Sequence, residues 1–163
     1  MHKRQILLTG APGAGKTTLC KALLGHGRDV VKTQAPEYYG HAVVDLPGEY
    51  LTHPHLRRVF LSVLQDVRLV IYVQAANEAP LGIPPGLLQT LPGVETMGVI
   101  TKIDMPEADI TGSKAFLRGL NIPEPYFEVV ATRDESVVPL RDRLRALGML
   151  REESLETNAG SMA

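Results

Sequence analysis

Apolar residues fall in short dense runs that alternate with stretches of helical spacing along most of the chain. Residues 5–10 open the pattern with Ile6, Leu7 and Leu8 in succession, as in a strand covered on both faces. Residues 17–24 follow as a helix, ended by Gly25-His26-Gly27. A short strand over 29–34 runs into the polar segment 35–40, and another over 41–45 is closed by Leu46-Pro47-Gly48-Glu49. Pro54 starts a helix to about residue 65, in which Leu56, Val59, Phe60, Val63 and Leu64 recur at helical spacing and predict a core stripe. Residues 67–73 are nearly all apolar and predict a central parallel strand. The proline-containing segment 75–86 is a loop, and 85–91 allows a short helix. A strand over 96–101, a helix over 109–120, a strand over 126–131 and a helix over 137–147 complete the series, leaving 151–163 as a frayed tail of low apolar content.

Strands alternating with helices predict an α/β fold with a doubly wound, mostly parallel sheet, helices on both faces and a ligand at the carboxyl ends of the strands. At 163 residues, with no internal repeat and no long linker, the expectation is one domain over 1–150. A formal net charge of −1 lacks the broad positive field that nucleic-acid binding uses, so neither DNA nor RNA is expected as a partner. The single cysteine, Cys20, lies within the first helix and reads as a small buried hydrophobe. No apolar run approaches the ~18 residues of a membrane span and the first eight residues lack a leader's shape, so the expected location is the cytosol, away from membranes.

The chemistry begins at Gly10-Ala11-Pro12-Gly13-Ala14-Gly15-Lys16-Thr17, a complete G-x-x-x-x-G-K-[ST] loop in the strand, loop, helix context it requires. Gly10, Gly13 and Gly15 let the backbone turn tightly, so that successive N–H groups and the positive end of the next helix converge on a polyphosphate. Lys16 would reach the outer phosphates, and the Thr17 hydroxyl would hold Mg²⁺. Asp45-Leu46-Pro47-Gly48 ends another strand some thirty residues later. Its carboxylate can share the Mg²⁺ of Thr17, and the Gly48 N–H can donate to a terminal phosphate. Thr101-Lys102-Ile103-Asp104 closes a third strand. In nucleotide-binding proteins of this kind the Asp accepts from guanine N1 and N2 while the Lys stem lies along the base. Adenine offers neither donor there, and a desolvated carboxylate left partly unpaired costs on the order of 2 kcal/mol or more.

Three motifs in this order resemble those of Ras-like GTPases, and more specifically the chain resembles the EutP/PduV family of ethanolamine and propanediol utilisation. That resemblance rests on Gly10 to Cys20, Lys32-Thr33-Gln34, Asp45 to Leu51, Pro84-Pro85-Gly86 and Thr101 to Asp104. It implies a single-domain, three-layer Ras-like P-loop fold, binding GTP or GDP with Mg²⁺, linked to bacterial microcompartments. The family has also been connected with acetate kinase activity, which brings ATP in as the alternative nucleotide. By the same resemblance, Thr33 is the candidate switch threonine that completes the Mg²⁺ shell beside Thr17 and Asp45. The candidate nucleotide-binding set is Gly10, Gly13, Ala14, Gly15, Lys16, Thr17, Thr18, Gly48, Lys102, Asp104 and Ala131, and the candidate catalytic set is Lys16, Thr33 and Glu49.

Two departures qualify the expectation. Glu49 stands where many Ras-like GTPases carry a glutamine that orients water. A full charge about 5 Å from a phosphate charge costs roughly 3 kcal/mol at an effective dielectric near 20, so Glu49 is a base for the water, is turned away, or merely starts a helix. The last guanine-contacting element, usually S-A-x, reads Val130-Ala131-Thr132, which keeps the Ala131 N–H and loses the serine. Three functions remain open: a slowly hydrolysing GTP-binding protein, an ATP-dependent kinase of a small carboxylate such as acetate, and a nucleotide-switched scaffold for a microcompartment shell protein.

Overall fold

A computed structural model describes residues 5–24, 37–39, 43–84, 86–90 and 92–150. Thr33, the strand expected over 29–34 and the tail 151–163 lie outside the described residues. The chain order is β1 (Gln5–Gly10), α1 (Lys16–Leu24), β2 (Glu37–Tyr39), β3 (Val43–Pro47), α2 (Glu49–Thr52), α3 (Arg57–Val63), β4 (Val67–Ala75), β5 (Glu95–Thr101), α4 (Ile110–Gly119), β6 (Phe127–Glu128) and α5 (Asp134–Ala146). Short 3-10 turns occupy Leu64–Asp66 and Leu87–Thr90.

The strands form one sheet in the order β2-β3-β1-β4-β5-β6. Five run parallel and β2 pairs antiparallel to β3 at the edge. β1 lies between β3 and β4, so the chain reverses its direction of progress across the sheet there. At such a reversal the loops leaving neighbouring strands part and open a crevice, which is where α/β sheets bind ligands.

Alternation along β1 splits the core in two. Ile6 and Leu8 join Leu19, Cys20 and Leu23 of α1 with Val137, Leu140 and Leu144 of α5. Leu7, one step out of phase, joins Phe60, Leu64, Leu117 and Leu120 on the opposite face. Each such side chain contributes about 1.5–3 kcal/mol by leaving water, so both faces of β1 resist displacement and the loop at its end starts from a fixed point.

The helix expected from Pro54 to about residue 65 forms as α3 and the 3-10 turn after it, starting three residues late, and α2 precedes it outside the expected span. Phe60 and Leu64 are buried as the stripe requires, but Val59 is 39% exposed and Leu61, outside the stripe, 47% exposed. The strand expected over 126–131 keeps two paired residues, at the end of the described sheet beside β5. α5 begins at Asp134, three residues before the expected start, with Asp134 and Glu135 in its first turn, where carboxylates suit the positive end of the helix.

Candidate nucleotide-binding site

The first loop is held from both sides. Gly10, at the end of β1, has φ +151°, and a Cβ there would fall 2.2 Å from the carbonyl oxygen of Val73 on β4. Only glycine lets the two strands stay in register at that point. Further along, the Thr101 hydroxyl at the end of β5 donates to the Ala14 carbonyl at 2.6 Å and ties the loop to the sheet. Lys16 is the first residue of α1 and is buried. Its ammonium donates to the carbonyls of Gly10 and Ala11, both at 2.9 Å, so the charge sits in the mouth of the loop. Burial lowers the Lys16 pKa from its ordinary value, and the carboxylates of Asp45, Glu78 and Glu49 pull it partly back.

Beside it, the Thr17 hydroxyl donates to Asp45 Oδ2 at 3.1 Å, joining the start of α1 to β3. One hydroxyl and one carboxylate, both hard oxygen donors at the edge of a phosphate loop, fit Mg²⁺, which takes few protein ligands and completes its shell with phosphate oxygens and water. Gly48 lies so close to the loop that a Cβ would fall 2.2 Å from the Gly10 carbonyl oxygen. Glu49 is exposed as the first residue of α2, a position that favours a negative side chain whatever else it does. Thr18 is also exposed.

Lys102 follows β5 with φ +57°, a turn that sends its side chain back across the first loop. The ammonium donates to the Gly13 carbonyl at 2.5 Å and to Glu78 Oε1 at 3.2 Å. Asp104, two residues on, is exposed, and Arg133 Nη2 stands 3.8 Å from its Oδ2. Ala131 lies half-buried in the turn between β6 and α5. That turn is braced by a serine after all, because the Val130 N–H donates to Ser136 Oγ at 2.7 Å.

Thr101 and Lys102 of the third motif therefore meet the first loop at the carboxyl edge of the sheet, Asp45 and Gly48 of the second adjoin it, and Asp104 stands beside Arg133. Arg57 donates from Nε to the Leu51 carbonyl at 3.4 Å, and Arg58 is exposed. No motif in the sequence marks Glu78 or Arg133. Glu78 lies three residues past the end of β4, β1's other neighbour in the sheet, and that placement is its one available signal. Arg133 follows the Ala131 turn, whose path no local pattern dictates.

A five-stranded parallel sheet with an antiparallel edge, a glycine-rich loop leading into α1 and acid-bearing loops beside it define a P-loop protein of the G-domain fold. The G domain of FeoB from Methanococcus jannaschii superposes with a TM-score of 0.59 at 23% identity, over 88% of this chain and 97% of that one. The chain belongs to the PduV-EutP family, ethanolamine utilisation - propanediol utilisation, whose model matches residues 3–146. It is 41% identical over 153 residues to the probable acetate kinase EutP of Salmonella typhimurium, covering 94% of this chain and 96% of that protein. It is also 32% identical over 120 residues to the tRNA modification GTPase MnmE of Thermus thermophilus, covering 64% of this chain and 27% of MnmE.

Proposed function

We propose that this protein binds GTP and GDP with Mg²⁺, hydrolyses GTP slowly when alone, and serves ethanolamine or propanediol utilisation at the microcompartment. The observation that carries the reading is the Lys102 contact to the Gly13 carbonyl, which joins the loop bearing Asp104 to the phosphate loop. A purine seated against Asp104 then has its phosphates over Gly13, Gly15 and Lys16, on the converging N–H groups at the start of α1. In this reading the ammonium of Lys16 turns from the Gly10 and Ala11 carbonyls to phosphate oxygens. Thr17 and Asp45 hold Mg²⁺, which when bound offsets charge on the terminal phosphates.

Glu49 supports the slow rate, since an exposed carboxylate next to Gly48 adds negative charge near the reacting phosphate. Nucleotide-free protein titrated with GTP and ATP in Mg²⁺ tests the base preference, and GTP is expected to bind more tightly. Asp104→Asn is expected to shift preference toward xanthine nucleotides, and an unchanged preference removes guanine recognition from the account. Single-turnover hydrolysis is expected at or below about 10⁻³ per second, the range of unassisted small GTPases. A rate above about one per second would refute that expectation.

A second reading is phosphoryl transfer from ATP to acetate. It is favoured by the name of the Salmonella typhimurium relative, probable acetate kinase EutP, which matches over nearly the whole chain. Acetyl phosphate formed by the wild type and lost in Lys16→Ala would support it.

A further inference from the structure

Each charged side chain of the third motif stands beside an opposite charge. Lys102 faces Glu78, and Asp104 faces Arg133. The second pair concerns the carboxylate on which guanine recognition depends. We propose that Arg133 is a specificity-determining residue that competes with the purine for Asp104, and so limits how strongly the site prefers guanine to adenine. The inference rests on the guanine-nucleotide reading above and deepens it.

The geometry makes Arg133 a movable competitor. Its main chain is fixed on both sides: the Arg133 N–H donates to the Val130 carbonyl at 2.9 Å, and the Ser136 N–H donates to the Arg133 carbonyl at 3.1 Å. The side chain is 59% exposed and its tip is free to swing about that fixed root. At 3.8 Å the contact is an ion pair without a hydrogen bond, so a ligand displaces it without breaking a directional bond.

The consequence for bases follows from their edges. Guanine presents two N–H donors to a carboxylate and must share it with the guanidinium. Adenine presents a ring nitrogen lone pair to the same carboxylate, which repels it, and a nearby guanidinium N–H relieves that repulsion. Arg133 thus weakens guanine and tolerates adenine. Exposed ion pairs of this kind change an equilibrium by about 1.4- to 5-fold, which sets the scale of the effect.

The test is calorimetric binding of GTP and ATP, read as the ratio of the two dissociation constants. Arg133→Gln is expected to widen the preference for GTP about two- to fivefold, while Arg133→Lys keeps the wild-type ratio. In an Asp104→Asn background, Arg133→Gln is expected to leave the ratio where Asp104→Asn alone sets it. Salt gives a readout that needs no substitution: raising NaCl from about 0.1 to about 1 M screens the pair and widens the wild-type ratio, with Arg133→Gln flat. An unchanged or narrowed ratio in Arg133→Gln, or the same change without Asp104, overturns the proposal. Should Asp104→Asn leave GTP affinity intact, or the wild type bind neither nucleotide, the guanine reading falls and this inference with it. If Asp104→Asn weakens GTP but Arg133→Gln leaves the ratio alone, only the role of Arg133 falls.

Discussion

Lys16 is held by two carbonyls and opposed by its own burial. Its folded-state pKa lies below the ordinary 10.5, chiefly through loss of water, with Asp45, Glu78 and Glu49 acting the other way. Between the lowered value and 10.5 the unfolded chain binds more protons at this site than the folded one, so stability rises with pH across that window. The burial cost is fully present below the lowered value and is relieved as the proton leaves. The wild type is therefore expected to gain stability relative to Lys16→Met as pH is raised toward 10.5, in urea denaturation at a series of pH values. A difference that stays flat would mean the ammonium carries no burial cost. The sequence made this lysine readable because a phosphate loop needs glycine, lysine and a hydroxyl at fixed offsets. Glu78 and Arg133 were not readable, because a carboxylate or guanidinium on a loop acquires meaning only from what the loop's path brings beside it.

At the scale of elements, structure was legible where one residue property decided the outcome. The successive apolar residues of β1, β4 and β5 admit little but strands buried on two faces. The helix expected from Pro54 to about residue 65 forms only from Arg57, and α2 precedes it as a separate short helix. His53, between α2 and α3, has ψ near +118°, an extended backbone that breaks any continuous helix. In α3 the buried edge runs through Phe60, while Val59 faces water. Phe60→Ala is accordingly expected to cost about 3–5 kcal/mol by leaving a cavity in the core. Val59→Ser, one residue away, is expected to change stability by about 0.5 kcal/mol or less. Chemical denaturation of the two variants checks the pair, and comparable losses would return Val59 to the core. β2 was hidden for a different reason: a three-residue edge strand within a polar segment owes its pairing to β3 rather than to any pattern of its own.

On the scale of the whole molecule, two cores on opposite faces of one sheet fix β1, while the candidate site is built from loops after β1, β3, β5 and β6. Those loops touch through a few polar contacts, Thr17 to Asp45, Thr101 to Ala14, Lys102 to Gly13 and Arg133 to Asp104. The alternation of strands and helices made this convergence legible in advance, since parallel strands must all end on the same edge. A triphosphate held by several of these loops at once stabilises the folded state by its binding free energy, about 2.7 kcal/mol at a hundredfold excess over Kd. For a chain of this size that corresponds to a rise in Tm of roughly 5–10 °C. Because Thr17 and Asp45 reach the terminal phosphates only through Mg²⁺ in this account, chelation with EDTA is expected to remove most of the rise produced by GTP. Lys16→Ala is expected to show little rise with or without the ion. Thermal melts with GTP, with and without chelator, separate the contributions: a shift indifferent to EDTA would mean that the nucleotide is held without the Thr17–Asp45 pair, and that their contact serves only to join α1 to β3.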